Sequence, residues 1–304
     1  MIGTLLQNRY RLDAELGHGG MGTVYRAHDT LLDRDVAVKI LNDAGLGTEG
    51  RARLLREAQA VAKLNHPNIV AVHDAGEVGP AAAPGAGGTP FIVMELVEGS
   101  SLRECPPSTL EETLKIAQQL CAALDHAHAH GIVHRDLKPE NVMLLPSPSQ
   151  GEPRERGATH GWGMRVKLMD FGLARTFDSR LTTEGMIVGT VSYLAPEQAL
   201  GQAIDGRTDL YALGVMLYEL TAGRLPFTAD DAIGVISQHL YAPVVPPSTH
   251  NSDILPALDA LIVQLMSKQR EDRPASATVV SQALEQLSRE QLSSDSSSTA
   301  VPTR

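Results

Sequence analysis

The chain has 304 residues, 26 basic against 36 acidic side chains, and a formal charge of −10. A 42% apolar content supplies a sizeable core, and the length suits one large domain or two modest ones. The acidic balance excludes a general nucleic-acid or anionic-membrane binder, because such affinity rests on a basic surface.

Strand-like runs come first: Gly22–Ala27, Asp35–Leu41 and Phe91–Leu96. Between them, residues from Glu49 to Asn65 carry Leu54, Ala58, Val61 and Leu64 near helical spacing, ending at His66-Pro67. Beyond residue 100 the pattern turns helical. Thr109–His130 sets Leu114, Ala117, Cys121 and Leu124 on one face, followed by Asp205–Thr221, Asp230–Leu240, Pro256–Lys268 and Ala275–Leu287. Strands first and helices later describe an α+β protein with a small sheet-rich lobe and a larger helical one. Gly79–Pro90 and Pro146–Gly163 read as surface insertions, and the Ser/Thr-rich end as a flexible tail. The N-terminus has no basic stretch followed by an apolar one. The longest apolar run, Leu210–Tyr218, is about half a membrane span, so a soluble chain is expected. Two cysteines, Cys105 and Cys121, are too few for a disulfide framework and suit a reducing cytoplasm.

Gly17-His-Gly-Gly-Met-Gly22 matches G-x-G-x-x-G, but the residues after it read as a strand, not a helix. A glycine-rich hairpin able to lie over phosphates fits better than a dinucleotide site, and a plain turn remains the bland alternative. Val36-Ala-Val-Lys39 then puts a lysine at the end of an apolar strand. A buried ammonium needs an anion, and Glu57 on the following helix is a candidate partner.

His134-Arg-Asp-Leu-Lys-Pro-Glu-Asn141, Asp170-Phe-Gly172 and Ala195-Pro-Glu197 follow in order. With these motifs the chain resembles the eukaryotic-like protein kinases, most of all the bacterial Ser/Thr enzymes, from about Tyr10 to about Leu287. The resemblance implies a bilobal protein-kinase fold: N-lobe about 10–94 with one main helix, hinge 95–98, mainly helical C-lobe about 99–287, active site between the lobes, and tail 288–304. It also implies transfer of the ATP γ-phosphate to protein Ser or Thr hydroxyls, where catalysis is mostly positioning and charge stabilisation.

The family's roles fall on residues present in this sequence. Lys39, oriented by Glu57, holds the α- and β-phosphates; Asp136 takes the hydroxyl proton; Lys138 steadies the γ-phosphate. Asn141 and Asp170 offer hard oxygen ligands to Mg²⁺, with Mn²⁺ as an alternative. Leu16, Gly17, Gly19, Gly22, Val24, Ala37, Met94, Glu95 and Val97 would surround the nucleotide. Lys138 and Gly189-Thr190, before Tyr193, look like the Ser/Thr branch, with Thr190 in the substrate platform. Arg135 before Asp136 resembles the mark of kinases controlled by activation-loop phosphorylation. Thr182 and Thr183 are the candidate autophosphorylation sites, and Glu184 stands where relatives often carry a second threonine. A homodimer for trans-autophosphorylation and a role in bacterial signalling are further expectations. Glu197 with Arg273, and Asp209 beneath the catalytic loop, are expected to be structural.

Two other readings compete. A nucleotide-binding pseudokinase scaffold would usually lose Lys39, Asp136 or Asp170. A small-molecule phosphotransferase of this fold would lack Gly189-Thr190 and Ala195-Pro-Glu197. His126, His128, His130 and His134 cluster without a carboxylate pair or cysteine to complete a metal site. Trp162 is expected to anchor the second insertion.

Overall fold

A computed structural model describes residues 1–19, 22–41, 47–78, 88–146, 165–171 and 191–298. They form two compact units, one over Met1–Glu98, the other built from Gly99–Phe171 and the described residues from Val191 onward.

The N-terminal unit is a six-stranded antiparallel sheet. Its strands are β1 (Leu5–Leu6), β2 (Tyr10–Gly19), β3 (Gly22–Asp29), β4 (Arg34–Leu41), β5 (Val72–Val78) and β6 (Thr89–Glu95), in spatial order β1-β2-β3-β4-β6-β5. One face buries Leu6, Leu12, Tyr25, Ala27, Val36, Val38, Ile40, Phe91 and Val93 as a continuous core. Alternate residues of β4 therefore turn to the opposite face. There Lys39 lies opposite Val24 on β3 and Ile92 on β6, and Ala37 lies opposite Met94. Helix α1 (Gly47–Val61) packs beside β5 and buries Leu54, Ala58 and Val61, the face expected from their spacing. The sheet starts before Tyr10, since Leu5 and Leu6 pair with β2. Of the first expected insertion, Thr89 and Pro90 belong to β6, while 79–87 lie outside the described residues.

The C-terminal unit is mostly helical. Helix α2 (Leu110–Ala129) opens with a capping box, in which Thr109 accepts from the Glu112 amide and the Glu112 carboxylate accepts from the Thr109 amide. A small sheet joins β7 (Ser100–Ser101), β8 (Val142–Leu145) and β9 (Arg165–Leu168). Then come α3 (Pro196–Ala199), α4 (Gly206–Ala222), α5 (Ala232–Tyr241), α6 (Pro256–Leu265) and α7 (Ala277–Ser298). Helix α4 is the axis: its run Leu210–Tyr218 is buried throughout, with α2 and α6 packed on it. An apolar run too short for a membrane is thus the centre of this unit's core. No helix among the described residues is long and apolar enough to cross a membrane. Helix α7 continues to Ser298, so 288–298 are helical where a tail was expected. Residues 147–164, with Trp162, lie outside the described residues.

Candidate active site

The N-terminal unit supplies Lys39, 5% exposed, with Val24, Ala37, Ile92 and Met94 on the same sheet face. Strand pairing fixes this set, because residues directly opposite in neighbouring strands share a face. Glu57 stands part-buried on α1, one residue before the buried Ala58. Glu95 ends β6, donates its amide to the Ala71 carbonyl at 2.9 Å, and accepts the Ala71 amide on Oε2 at 3.3 Å. Val97 follows it, part-buried. Leu16, Gly17 and Gly19 lie on β2, and Gly22 opens β3.

The three glycines differ in what they demand. A Cβ at Gly22 would sit 2.1 Å from the Ile40 carbonyl oxygen, on a backbone with φ +145°. Only glycine fits there. A Cβ at Gly17 or Gly19 would meet no atom of the described residues within 4 Å. Those two leave open space over the strand, which suits close approach of a phosphate chain.

The C-terminal unit supplies the loop 134–141, which side chains hold in place. Asp209, fully buried on α4, accepts the His134 amide on Oδ2 and the Arg135 amide on Oδ1, each at 2.8 Å. His128 of α2 donates Nε2–H to the same Oδ2 at 2.7 Å. The His134 ring accepts the Asp136 amide on Nδ1 at 3.3 Å and donates from Nε2 to the Met169 carbonyl at 2.7 Å. Gln198 donates to the Arg135 carbonyl at 2.8 Å. Arg135 itself takes φ +71°, uncommon for a side-chain-bearing residue, and these bonds hold it there.

Asp136 is the focus of this wiring. Its Oδ2 accepts from Lys138 Nζ at 2.7 Å and from Asn141 Nδ2 at 3.1 Å. Asn141 Nδ2 also donates to the Asp136 carbonyl at 2.7 Å. Both amide hydrogens of Asn141 are thereby directed to Asp136, which leaves Oδ1 as the side chain's oxygen donor. Asp170 follows Met169, whose amide donates to the Asn141 carbonyl at 2.9 Å, and has φ +61°. Phe171 is buried, edge-on to the His134 ring at 4.6 Å. A carboxylate and an amide oxygen are the donor set a hard divalent cation prefers, so Asp170 and Asn141 fit such an ion.

Beneath this loop, Arg273 and Glu197 form a buried two-pronged pair at 2.7 and 2.9 Å. Thr208 donates to Glu197 Oε1 at 2.8 Å, and the Arg273 guanidinium lies 4.8 Å from the centre of the Tyr211 ring. Burial pushes the Glu197 carboxyl up, but Arg273 outweighs it and holds the pKa below the usual carboxylate range.

Sequence reasoning missed Gln198 and the Met169 carbonyl as anchors of the loop. It also missed a cluster formed by Arg103, Glu140, Tyr193 and Glu219. Gln198 reaches the Arg135 carbonyl, and Met169 offers its own carbonyl to the His134 ring; neither contact leaves a pattern in a sequence. Glu140 lay in plain view inside the loop motif, but its partner Arg103 is 37 positions away. Thr182, Thr183 and Thr190 lie outside the described residues, as does Gly172.

A two-unit α+β architecture, with a lysine on a sheet face and a side-chain-braced aspartate loop, defines a phosphotransferase of the protein-kinase class. The chain belongs to the protein kinase family: residues 10–286 match the family described as protein kinase domain. It is 39% identical over 307 residues to serine/threonine-protein kinase pkn3 of Myxococcus xanthus, covering 97% of this chain and 53% of that protein. It is 40% identical over 276 residues to serine/threonine-protein kinase PknB of Mycobacterium tuberculosis, covering 88% of this chain and 41% of that protein. The chain thus spans about half, or less, of the curated relatives it matches. Among solved structures, the kinase domain of PknI from Mycobacterium tuberculosis matches with a TM-score of 0.69 at 28% identity, covering 94% of this chain and 98% of that one. The domain is of the bacterial eukaryotic-like Ser/Thr type, and its family uses ATP and a divalent metal ion on protein substrates.

Proposed function

We propose that this chain, as part of its full protein, transfers the ATP γ-phosphate to Ser or Thr hydroxyls of proteins, with Asp136 as the catalytic base. The observation that carries this is the state of Asp136. One carboxylate oxygen is engaged by Lys138 and Asn141, which leaves the other to accept the substrate hydroxyl. As the hydroxyl oxygen bonds to the γ-phosphorus and the bond to the ADP oxygen breaks, the hydroxyl proton passes to Asp136. Lys138, already beside Asp136, offers its ammonium to the charge on the transferring group.

Lys39, oriented by Glu57, would hold the α- and β-phosphates. Leu16, Gly17, Gly19, Gly22, Val24, Ala37, Met94, Glu95 and Val97 would enclose the rest of the nucleotide. Asn141 and Asp170 would hold Mg²⁺, which would supply positive charge to offset that of the phosphates. Ser/Thr selection would involve Thr190. Thr182 and Thr183 would be autophosphorylated in trans, within a homodimer, and the product anion would find Arg135. Cys105 and Cys121 are free thiols, and both they and the ATP requirement suit the cytoplasm.

The test is transfer from labelled ATP with Mg²⁺, comparing wild type with Lys39→Met and mapping the modified sites. Label on Thr182 or Thr183 that vanishes in the variant, with initial rates rising faster than protein concentration, is the expected result. ATP binding without any label on the chain or on a generic basic protein would overturn the reading.

A further inference from the structure

Arg103 lies just after β7, in a turn closed by the Glu104 and Cys105 amides, both bonded to the Ser101 carbonyl. Its side chain is 41% exposed, yet its guanidinium is engaged on three sides. Nε donates to Glu140 Oε1 at 2.8 Å, Nη1 to Glu219 Oε1 at 2.6 Å, and Nη2 to the Tyr193 hydroxyl at 2.5 Å. The Tyr193 hydroxyl in turn donates to Glu219 Oε2. Glu140 precedes Asn141, whose amide holds Asp136, so this acidic recess adjoins the loop that an acceptor hydroxyl must reach. Two carboxylates and a phenol oxygen arranged around one guanidinium make a receptor for a planar cation. The chain fills that receptor with its own residue.

We propose that Arg103 determines substrate choice: it occupies from within an acidic recess, formed by Glu140, Glu219 and Tyr193, that would otherwise hold an arginine of the substrate. The intact domain then has no requirement for a basic residue near the acceptor. With Arg103 in place the two carboxylates carry a net charge of one negative unit; without it they carry two, with their partner gone. An incoming guanidinium would then meet a prepared site instead of an occupied one. This inference rests on the kinase reading above.

The experiment measures kcat/KM on threonine peptides that differ only in arginine or glutamine, placed in turn at each position near the acceptor. In wild type the arginine-to-glutamine ratio is expected to stay within about threefold at every position. In Arg103→Ala, and in Arg103→Gln, which is shorter and uncharged but keeps a polar amide, the ratio at one position should rise by about tenfold or more, or 1.4 kcal/mol. Adding Glu219→Gln to Arg103→Ala should cancel that gain. A wild-type ratio above about tenfold would overturn the inference without any variant, because the recess would then be open. A folded Arg103 variant with an unchanged ratio would also overturn it, leaving Arg103 a tie between three elements. If wild type transferred phosphate to no peptide, the kinase reading would fail and this inference with it.

Discussion

In the N-terminal unit, Lys39 is held by the sheet it belongs to. β3 and β6 pair with β4 on either side, and alternation puts Lys39 on the face away from the Leu12–Val38–Phe91 core. In the C-terminal unit, Asp136 sits in a loop whose position comes from side chains: Asp209 of α4, itself held by His128 of α2, Gln198 of α3, and the loop's own Asn141. A sheet positions a residue through backbone pairing, which tolerates many sequences. A loop braced by buried hydrogen bonds depends on particular side chains, because each lost partner strands a buried polar group. Point changes should therefore cost more in the C-terminal unit.

The largest expected effect is on Asp136. Asp136→Asn keeps the shape and most of the hydrogen bonding but cannot take the proton, and activity should fall by roughly 10²–10⁴-fold. Single-turnover measurements of the chemical step, on protein free of contaminating kinase, check it. Retained activity would remove Asp136 from the base role. Next is Arg273→Ala, which leaves Glu197 charged and buried without its partner. It should cost about 3–5 kcal/mol of stability, read by denaturant unfolding. A loss below about 1 kcal/mol would mean that Thr208 and water satisfy Glu197 unaided, and the contrast between the units would weaken.

The same contrast governs what the sequence could reveal. The strands on either side of Lys39, the α1 face and the central helix α4 were legible, because burial writes its period directly into apolar residues. Short strands such as β5 were not: Val72–Val78 reads His73-Asp74-Ala75-Gly76 in its middle and takes its pairing from β6. Tertiary context decides there, not propensity. The extension of α7 through the serine-rich 291–298 was likewise unreadable, since nothing apolar and periodic marks it. In the site, motif residues could be named from the chain alone, whereas their braces could not. Asp209 was reached through resemblance, and Gln198 and Arg103 not at all, because a contact between distant positions leaves no local pattern.

The N-terminal unit has its own exception, where backbone instead of side chains does the selecting. Gly22→Ala forces a methyl onto the Ile40 carbonyl at φ +145° and should cost about 1–3 kcal/mol. Gly17→Ala and Gly19→Ala place a methyl in open space and should change stability by less than about 0.5 kcal/mol. Their effect should appear in KM for ATP instead. Thermal unfolding of the three variants, paired with ATP titrations of rate, separates the two kinds of glycine. Equal destabilisation by all three would mean that the whole loop, and not one residue, is sterically constrained.

The last effect is one of pH, and it too divides the units. His239 is buried on α5, its Nδ1 2.9 Å from the Tyr211 hydroxyl, with Phe227 against its ring. Burial, and then the nearby Lys268 ammonium, push its pKa down to about 4 from 6.5. The unfolded chain therefore binds a proton that the folded chain refuses. The stability from His239 is complete above pH 6.5 and declines as pH falls from 6.5 towards 4, by at most about 1.4 kcal/mol per pH unit. Asp29 in the N-terminal unit behaves differently. Arg9 holds its pKa at about 2 against 3.8, so its contribution is lost only below about pH 3.8. Between pH 6.5 and 4, hydrogen-exchange protection should fall around α5 and the first half of α4, which carries Tyr211, while β3 and β4 keep theirs. His239→Gln should flatten that decline. If β3 lost protection in step with α5, the two units would unfold as one in acid, and buried side-chain wiring would not be a separate weakness of the C-terminal unit.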